Sequence, residues 1–128
     1  MSGKIDYWVE LAEYDLETAR AMLKSKRYLY VGFMCHQAIE KVLKAFFVKS
    51  KGEQPPRTHN LRLIAKKSEL LESFEGDQFQ FLISLEPLNI EARYPTEKEK
   101  IFKSLSHERC VAILQSTEEL FQWIKAKL

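Results

Sequence analysis

The chain has 128 residues, of which 45% are apolar and 30% are charged, and 20 basic against 18 acidic side chains give a formal net charge of +2. These values are ordinary for a folded domain with its own core, and they exclude a disordered chain and a protein that is basic over its whole surface. We therefore expect a single domain over residues 1–128, in which contact with a polyanion would come from a local basic surface.

The cysteines and the lengths of the apolar runs indicate where in the cell the protein is expected to work. Cys35 and Cys110 have apolar neighbours, and we expect no secretory leader. Lone thiols in such surroundings favour core packing in a reducing environment. No apolar run approaches the roughly 20 residues that a membrane-spanning helix needs. We expect a cytoplasmic protein without membrane contact.

Apolar residues recur with a helical period from the start of the chain and predict helices over about residues 5–24 and 28–51. Gly52 marks the end of the second helix, because glycine adopts the left-handed conformation without steric cost. Asp15 falls inside the apolar stripe of the first helix, which is an unusual place for a carboxylate.

A third helix is predicted over about residues 60–72, with Thr58 and Asn60 both suitable as its N-terminal cap. A fourth begins near Asp77, and Pro87 should end or kink it because proline lacks the backbone donor.

Residues 88–104 read as an irregular connection, followed by a last helix over about 105–127. Short loops between long amphipathic helices favour antiparallel neighbours. The predicted fold class is therefore all-α, an up-and-down bundle of about five helices.

One polar stripe runs along the second helix at the spacing i, i+3, i+4 and i+7, made of Gln37, Glu40, Lys41 and Lys44. It could be a solvated face with two intrahelical ion pairs. It could also be a polar seam inside the bundle where Lys41 or Gln37 meets Asp15, since a buried carboxylate must find a donor or be neutralised. Spacing alone leaves both interpretations open.

Two further segments carry candidate functional residues. Arg93 beside Tyr94 suits a phosphate with a stacked base, although a loop arginine could equally pair with Glu91 or Glu97. His59 could be an acid–base group, because imidazole titrates near neutral pH, or part of a helix cap.

The two other histidines are less informative. We expect His36 to be packed in the bundle and His107 to be exposed at the start of the last helix.

Motifs of the common enzyme classes are absent from the sequence. There is no glycine-rich phosphate loop, no Cys-x-x-Cys, no histidine pair at zinc spacing, no nucleophile elbow and no Glu-x-x-His pair of the di-iron type. The sequence therefore assigns no catalytic residue, no metal ligand and no cofactor.

Taken together, three motifs resemble the HEPN domain family: His36-Gln37-Ala38-Ile39-Glu40-Lys41 with Leu43-Lys44-Ala45, Thr58-His59-Asn60-Leu61, and Ala92-Arg93-Tyr94-Pro95. The resemblance covers about residues 5–125. It implies a bundle of about five helices, a homodimer, and a minimal nucleotidyltransferase as partner, often in a toxin–antitoxin arrangement. Many members are metal-independent ribonucleases whose signature is an arginine and a histidine with four to six residues between them, the histidine standing at the start of the last helix.

This chain lacks that ribonuclease signature, because no arginine precedes a histidine at the required spacing. The resemblance therefore favours a module that binds a nucleotide, RNA or the partner protein. Its expected binding residues are Gln37, Glu40, Lys41, Lys44, His59, Arg93 and Tyr94, with Asp15 as the structural anchor of the polar seam.

Two rival functions remain open. The first is a metal-independent endoribonuclease with a non-standard active site, in which the two chains of a dimer bring Arg93 near His107. The second is a purely structural scaffold domain.

Overall fold

A computed structural model describes residues 3–128, so residues 1–2 of the predicted domain lie outside it. Within that range the chain forms helices and no strands, which confirms the predicted all-α bundle. Six α-helices follow one another: α1 Gly3–Lys24, α2 Tyr28–Lys51, α3 Leu61–Lys67, α4 Gln78–Leu85, α5 Pro95–Ser104 and α6 His107–Lys125.

The centre of the bundle is the hairpin of α1 and α2, against which α6 packs. Their apolar stripes meet in one core, where Ile39 and Leu43 from α2 and Phe121 and Ile124 from α6 are at most 1% exposed. Burial of each such side chain contributes about 1.5–3 kcal/mol. None of the helices in the described range is long and apolar enough to cross a membrane.

The ends of α2 and α3 follow the signals in the sequence. Gly52 ends α2 in the left-handed conformation (φ 67°) and donates its N–H to the carbonyl of Val48. Of the two candidate caps for α3, Asn60 is the one used, since its Oδ1 accepts from Leu63 N at 3.0 Å. The Thr58 hydroxyl instead accepts from the N–H of Asn60.

The third predicted helix is too long, because α3 stops at Lys67 and a separate 3-10 turn covers Leu70–Ser73. Glu69, between them, has a φ of 68°. A left-handed residue breaks the helical hydrogen-bond ladder. Because only glycine adopts that conformation without cost, a glutamate at this position gives no signal in the sequence that the helix ends.

The prediction of an irregular connection over residues 88–104 is wrong, since α5 lies within it. Pro95 starts this helix at its first position, where the missing N–H needs no partner. Glu99 and Lys103 then pair at 3.1 Å across one turn. Because α5 buries none of its residues, it lacks the apolar period that reveals a helix in a sequence.

A close approach holds the segment after α4 against α2. Leu88 packs on Gly32, where an added Cβ would come within 3.3 Å of the Leu88 side chain. The 3-10 turn Glu86–Leu88 therefore lies one helical turn from His36.

Candidate functional site

The polar stripe of α2 begins with a pair that joins two helices. Lys41 Nζ donates to Asp15 Oδ2 at 2.5 Å, and the two side chains are 19% and 10% exposed. This contact gives the carboxylate inside the stripe of α1 its donor.

Glu40 is the centre of a second polar group on α2. Its side chain is only 4% exposed, and its carboxylate accepts from Lys44 Nζ at 3.0 Å. The same carboxylate lies 3.0 and 3.1 Å from the Nδ1 of His59. Lys44 Nζ also lies 5.5 Å from the centre of the Trp8 ring. Since Glu40 and Lys44 are both buried, this pair is not a solvated ion pair.

His59 is held by Glu40 but faces solvent. A carboxylate can only accept, so the Nδ1–H of the ring donates and the tautomer leaves Nε2 able to accept a proton. The side chain is 69% exposed, and no hydrogen bond to Nε2 is made within residues 3–128. The interpretation of His59 as a helix cap is wrong, because Asn60 fills that position.

His36 lies one turn before Glu40 and is fully buried. Its Nδ1 contacts Gln37 Oε1 at 3.2 Å, and within the described range its Nε2 has no partner. Burial lowers the pKa of His36, and the nearby Gln37, Glu40 and Glu86 offset this only in part. His36 is therefore a neutral, packed histidine at pH 7. We call Glu40, Lys44, His59 and His36 the Glu40 cluster.

Glu86 connects the segment that carries Arg93 to the segment that carries His59 of this cluster. Its side chain accepts from the N–H of Leu61 at 2.8 Å, at the start of α3 and two residues after His59. Its backbone carbonyl accepts from Arg93 Nη2 at 2.9 Å. The segments that carry His59 and Arg93 are thus both fixed to one residue. No local pattern in the sequence points to Glu86, because its contact with α3 is remote along the chain.

Arg93 and Tyr94 are placed differently from one another. The Arg93 side chain is 32% exposed and approaches Glu97 at 3.8 Å, and among the described residues it forms no ion pair with Glu91. Its Nε is buried and has no partner within residues 3–128. Tyr94 is 76% exposed.

His107 lies apart from these residues within one chain. It is exposed, as predicted, and its Nδ1 lies 3.2 Å from the hydroxyl of Tyr28. In the described part of the chain, no hydrogen bond joins it to Arg93.

The cysteines and the acidic groups offer no other obvious chemistry. Both thiols are free and buried, and burial raises the pKa of Cys35 to about 12 and also raises that of Cys110. A thiol that stays protonated is a poor nucleophile. In the part of the chain that the structure describes, no three His, Cys, Asp or Glu side chains are grouped to hold a metal ion.

Two grooves are walled by tryptophans. The Trp8 groove, of about 430 Å³, is lined by Gly3, Lys4, Tyr7, Trp8, Val48, Gln54 and Pro55, and it adjoins the Glu40 cluster through Trp8. The Trp123 groove, of about 630 Å³, lies between α6 and the start of α4, and its lining includes Glu75, Asp77, Phe81, Glu119 and Trp123.

Comparisons with known proteins agree with this architecture. A family model described as the HEPN domain matches residues 5–127. The fold is similar to that in the crystal structure of TT1696 from Thermus thermophilus, with a TM-score of 0.83 and 18% sequence identity over 99% of this chain and 100% of that one. No curated protein matches the sequence significantly.

Proposed function

The chain belongs to the HEPN domain family, and from this premise we propose that it is a nucleotide- or RNA-associated binding module. It acts as a homodimer in the cytoplasm beside a minimal nucleotidyltransferase, in a toxin–antitoxin-like pair. Its two free thiols suit a reducing compartment.

The observation that supports this proposal is that Glu86 holds both candidate segments, the one with His59 and the one with Arg93. Its side chain holds the N-terminus of α3 beside His59, and its backbone carbonyl holds Arg93. Arginine binds phosphate oxygens through two parallel hydrogen bonds, and the exposed Tyr94 ring beside it offers a surface for a base. An arginine anchored at one nitrogen and one-third exposed is held in position with little entropy left to lose.

The test is binding of fluorescein-labelled single-stranded RNA and of a fluorescent ATP analogue, followed by anisotropy in EDTA. We expect Arg93→Ala to weaken binding by at least about tenfold, since a charge-assisted pair contributes about 1.5–3 kcal/mol. We also expect affinity to fall as NaCl rises, because phosphate contacts release counterions.

Arg27→Ala is the matched control, because it removes the same charge from the exposed turn between α1 and α2. Tyr94→Ala is compared with Tyr14→Ala, which removes another exposed ring. Equal affinities for the Arg93 and Arg27 variants, with no dependence on salt, would contradict the proposal.

The assembly is tested separately by light scattering on the eluting protein. A homodimer has twice the chain mass of 15.1 kDa. Co-expression with a minimal nucleotidyltransferase encoded in the same genome should give a complex of defined stoichiometry. A monomer at micromolar concentration would contradict the proposed homodimer. Two proteins that elute apart would contradict the proposed partnership with the nucleotidyltransferase.

One observation favours a second candidate function, the metal-independent endoribonuclease. A buried carboxylate that fixes an exposed imidazole is the arrangement of a general base. The Nε2 of His59 would take the proton of an RNA 2′-hydroxyl, whose oxygen attacks the adjacent phosphorus. The bond to the 5′-oxygen breaks, that oxygen takes a proton, and the products are a 2′,3′-cyclic phosphate and a 5′-hydroxyl.

Cleavage of labelled RNA in EDTA tests this candidate. If His59 is the base, His59→Gln abolishes cleavage and His107→Gln, which alters the other exposed histidine, preserves it. If the pairing of Arg93 with His107 across a dimer is correct, the His107 variant is inactive. Intact RNA with the wild type leaves binding as the function.

A further inference from the structure

The Trp8 groove lies next to the proposed binding residues and has a wall in common with them. Trp8 contacts Lys44 on one side, and Lys44 pairs with Glu40, which holds His59. The groove is also lined by Pro55, which belongs to the loop that leads to His59. The buried pair of Lys44 and Glu40 therefore connects a wall of the groove to His59.

Two aromatic rings form part of the wall of the groove. The rings of Tyr7 and Trp8 meet edge to face at 5.9 Å and 68°, and so form a corner. Tyr7 is 57% exposed, whereas Pro55 and Val48 opposite are buried. Gln54 brings an amide, which can both donate and accept, into the same lining. An aromatic corner with one amide is suited to a planar heterocycle that stacks and forms hydrogen bonds at its edge.

The rim of the groove is basic. Two further concave surfaces adjoin it, one with Gly3, Lys4 and Val48 in common and one with Gln54 in common. The charged residues that line the three surfaces are four lysines and one glutamate: Lys4, Lys49, Lys51, Lys67 and Glu53. Lys51 pairs with Glu69 at 3.4 Å. The lysines still outnumber the carboxylates along this rim, so it attracts phosphate and repels cations.

We propose that the Trp8 groove binds the base of a nucleotide or of a single-stranded RNA end, with the attached phosphate directed to the lysine rim. This inference rests on the proposed function and deepens it, because it adds a second base-stacking subsite, separate from the Arg93–Tyr94 segment. Affinity comes from the ring wall, and charge adds the dependence on salt.

The experiment uses the full chain with Trp123→Phe, so that Trp8 is the remaining tryptophan. Fluorescence is titrated with AMP, adenosine and ribose 5-phosphate. We expect AMP to quench Trp8 and to bind more tightly than either adenosine or ribose 5-phosphate, because it supplies both the base and the phosphate. Tyr7→Ala should weaken AMP binding about tenfold, the effect of losing one stacking ring.

Tyr14→Ala is the matched control, because Tyr14 is 69% exposed on the same helix and does not line the groove. Tyr7→Phe keeps the ring and should keep the affinity. Both positions are exposed, so neither substitution removes a core contact.

Three outcomes overturn the inference. If AMP and RNA bind but the Tyr7 and Tyr14 variants behave alike, the base lies elsewhere and the proposed function stands. If ribose 5-phosphate binds as well as AMP, the site recognises phosphate alone. If no nucleotide or RNA binds by fluorescence or anisotropy, the proposed function fails as well, and a partner protein is the remaining occupant of the groove.

Discussion

The Trp8 groove and the Trp123 groove each have a tryptophan in their wall, and their rims carry opposite charges. Each tryptophan meets a second ring edge to face: Tyr7, which also lines the Trp8 groove, and Phe74, which does not line the Trp123 groove. Lys4 lines the Trp8 groove and further lysines line the two surfaces that adjoin it, of which Lys51 pairs with Glu69. Three carboxylates line the Trp123 groove, and none of them forms an ion pair within residues 3–128.

The difference shows that an aromatic wall does not by itself define a ligand. A phosphate would be repelled from the Trp123 groove by its carboxylates. Both rings have a cation from their own chain, with Lys127 Nζ 4.2 Å from the centre of Trp123 and Lys44 Nζ 5.5 Å from the centre of Trp8, so the rims make the difference. The roomier groove is thus the one less suited to a nucleotide. The two regions also differ beneath the surface. Of the two grooves, only the Trp8 groove adjoins a buried ion pair among the described residues, the pair of Lys44 and Glu40.

The largest expected difference between the two regions is in how much the free energy of unfolding falls when a glutamate of each region is neutralised. Glu40→Gln keeps the shape of the side chain but leaves Lys44 buried without a counter-charge. We expect a loss of about 3 kcal/mol in the free energy of unfolding, as for other buried pairs that lose one partner. Urea unfolding followed by circular dichroism measures it.

Glu119→Gln makes the same change at the rim of the Trp123 groove and should alter the free energy of unfolding by less than about 0.5 kcal/mol. A Glu40 variant as stable as the Glu119 variant would mean that the buried pair contributes no more than a surface charge.

A smaller difference is expected in acid, because a buried histidine lies in the Glu40 cluster and none of the described residues that line the Trp123 groove is a histidine. Burial lowers the pKa of His36 from its usual 6.5, so the unfolded chain takes up the proton first. Stability is fully present above pH 6.5 and falls as the pH drops below it, by at most about 1.4 kcal/mol per pH unit. Gln37, Glu40 and Glu86 oppose the shift, and His59 adds to it.

Urea midpoints at pH 7.5, 6.0 and 5.0 check this expectation against His36→Leu, which has no proton to bind at that position. The wild type should lose more stability than the variant between the highest and the lowest of these pH values. Parallel losses in the two proteins would assign the acid sensitivity to the carboxylates instead.

The sequence predicted the long helices and missed the parts of the fold that have no periodic pattern. α2 was placed at its observed residues because its apolar stripe and Gly52 are both local signals. The break at Glu69 and the helix α5 were missed, since a left-handed glutamate has no residue signature and α5 buries no side chain.

The candidate site shows the same limit. The spacing of Glu40 and Lys44 placed them on one face of α2, but a burial pattern read from one helix cannot tell which neighbouring element covers that face. The contact of Glu40 with His59 depends on the path of the loop after Gly52. The contacts of Glu86 depend on the packing of Leu88 against Gly32. Both are properties of the assembled bundle.

The smallest expected effect is a difference of about twofold in how the two tryptophans respond to charged quenchers, which corresponds to about 0.4 kcal/mol of local potential. Trp8 is observed in the Trp123→Phe variant, and Trp123 in Trp8→Phe. Iodide should quench Trp8 more than caesium does, because lysines line the rim of its groove, and the order should reverse at Trp123. Raising the ionic strength to about 1 M shortens the screening length to about 3 Å and should remove both preferences. A preference that survives high salt would arise from the shape of the groove, and one absent at low salt would mean that the rims carry equal potentials.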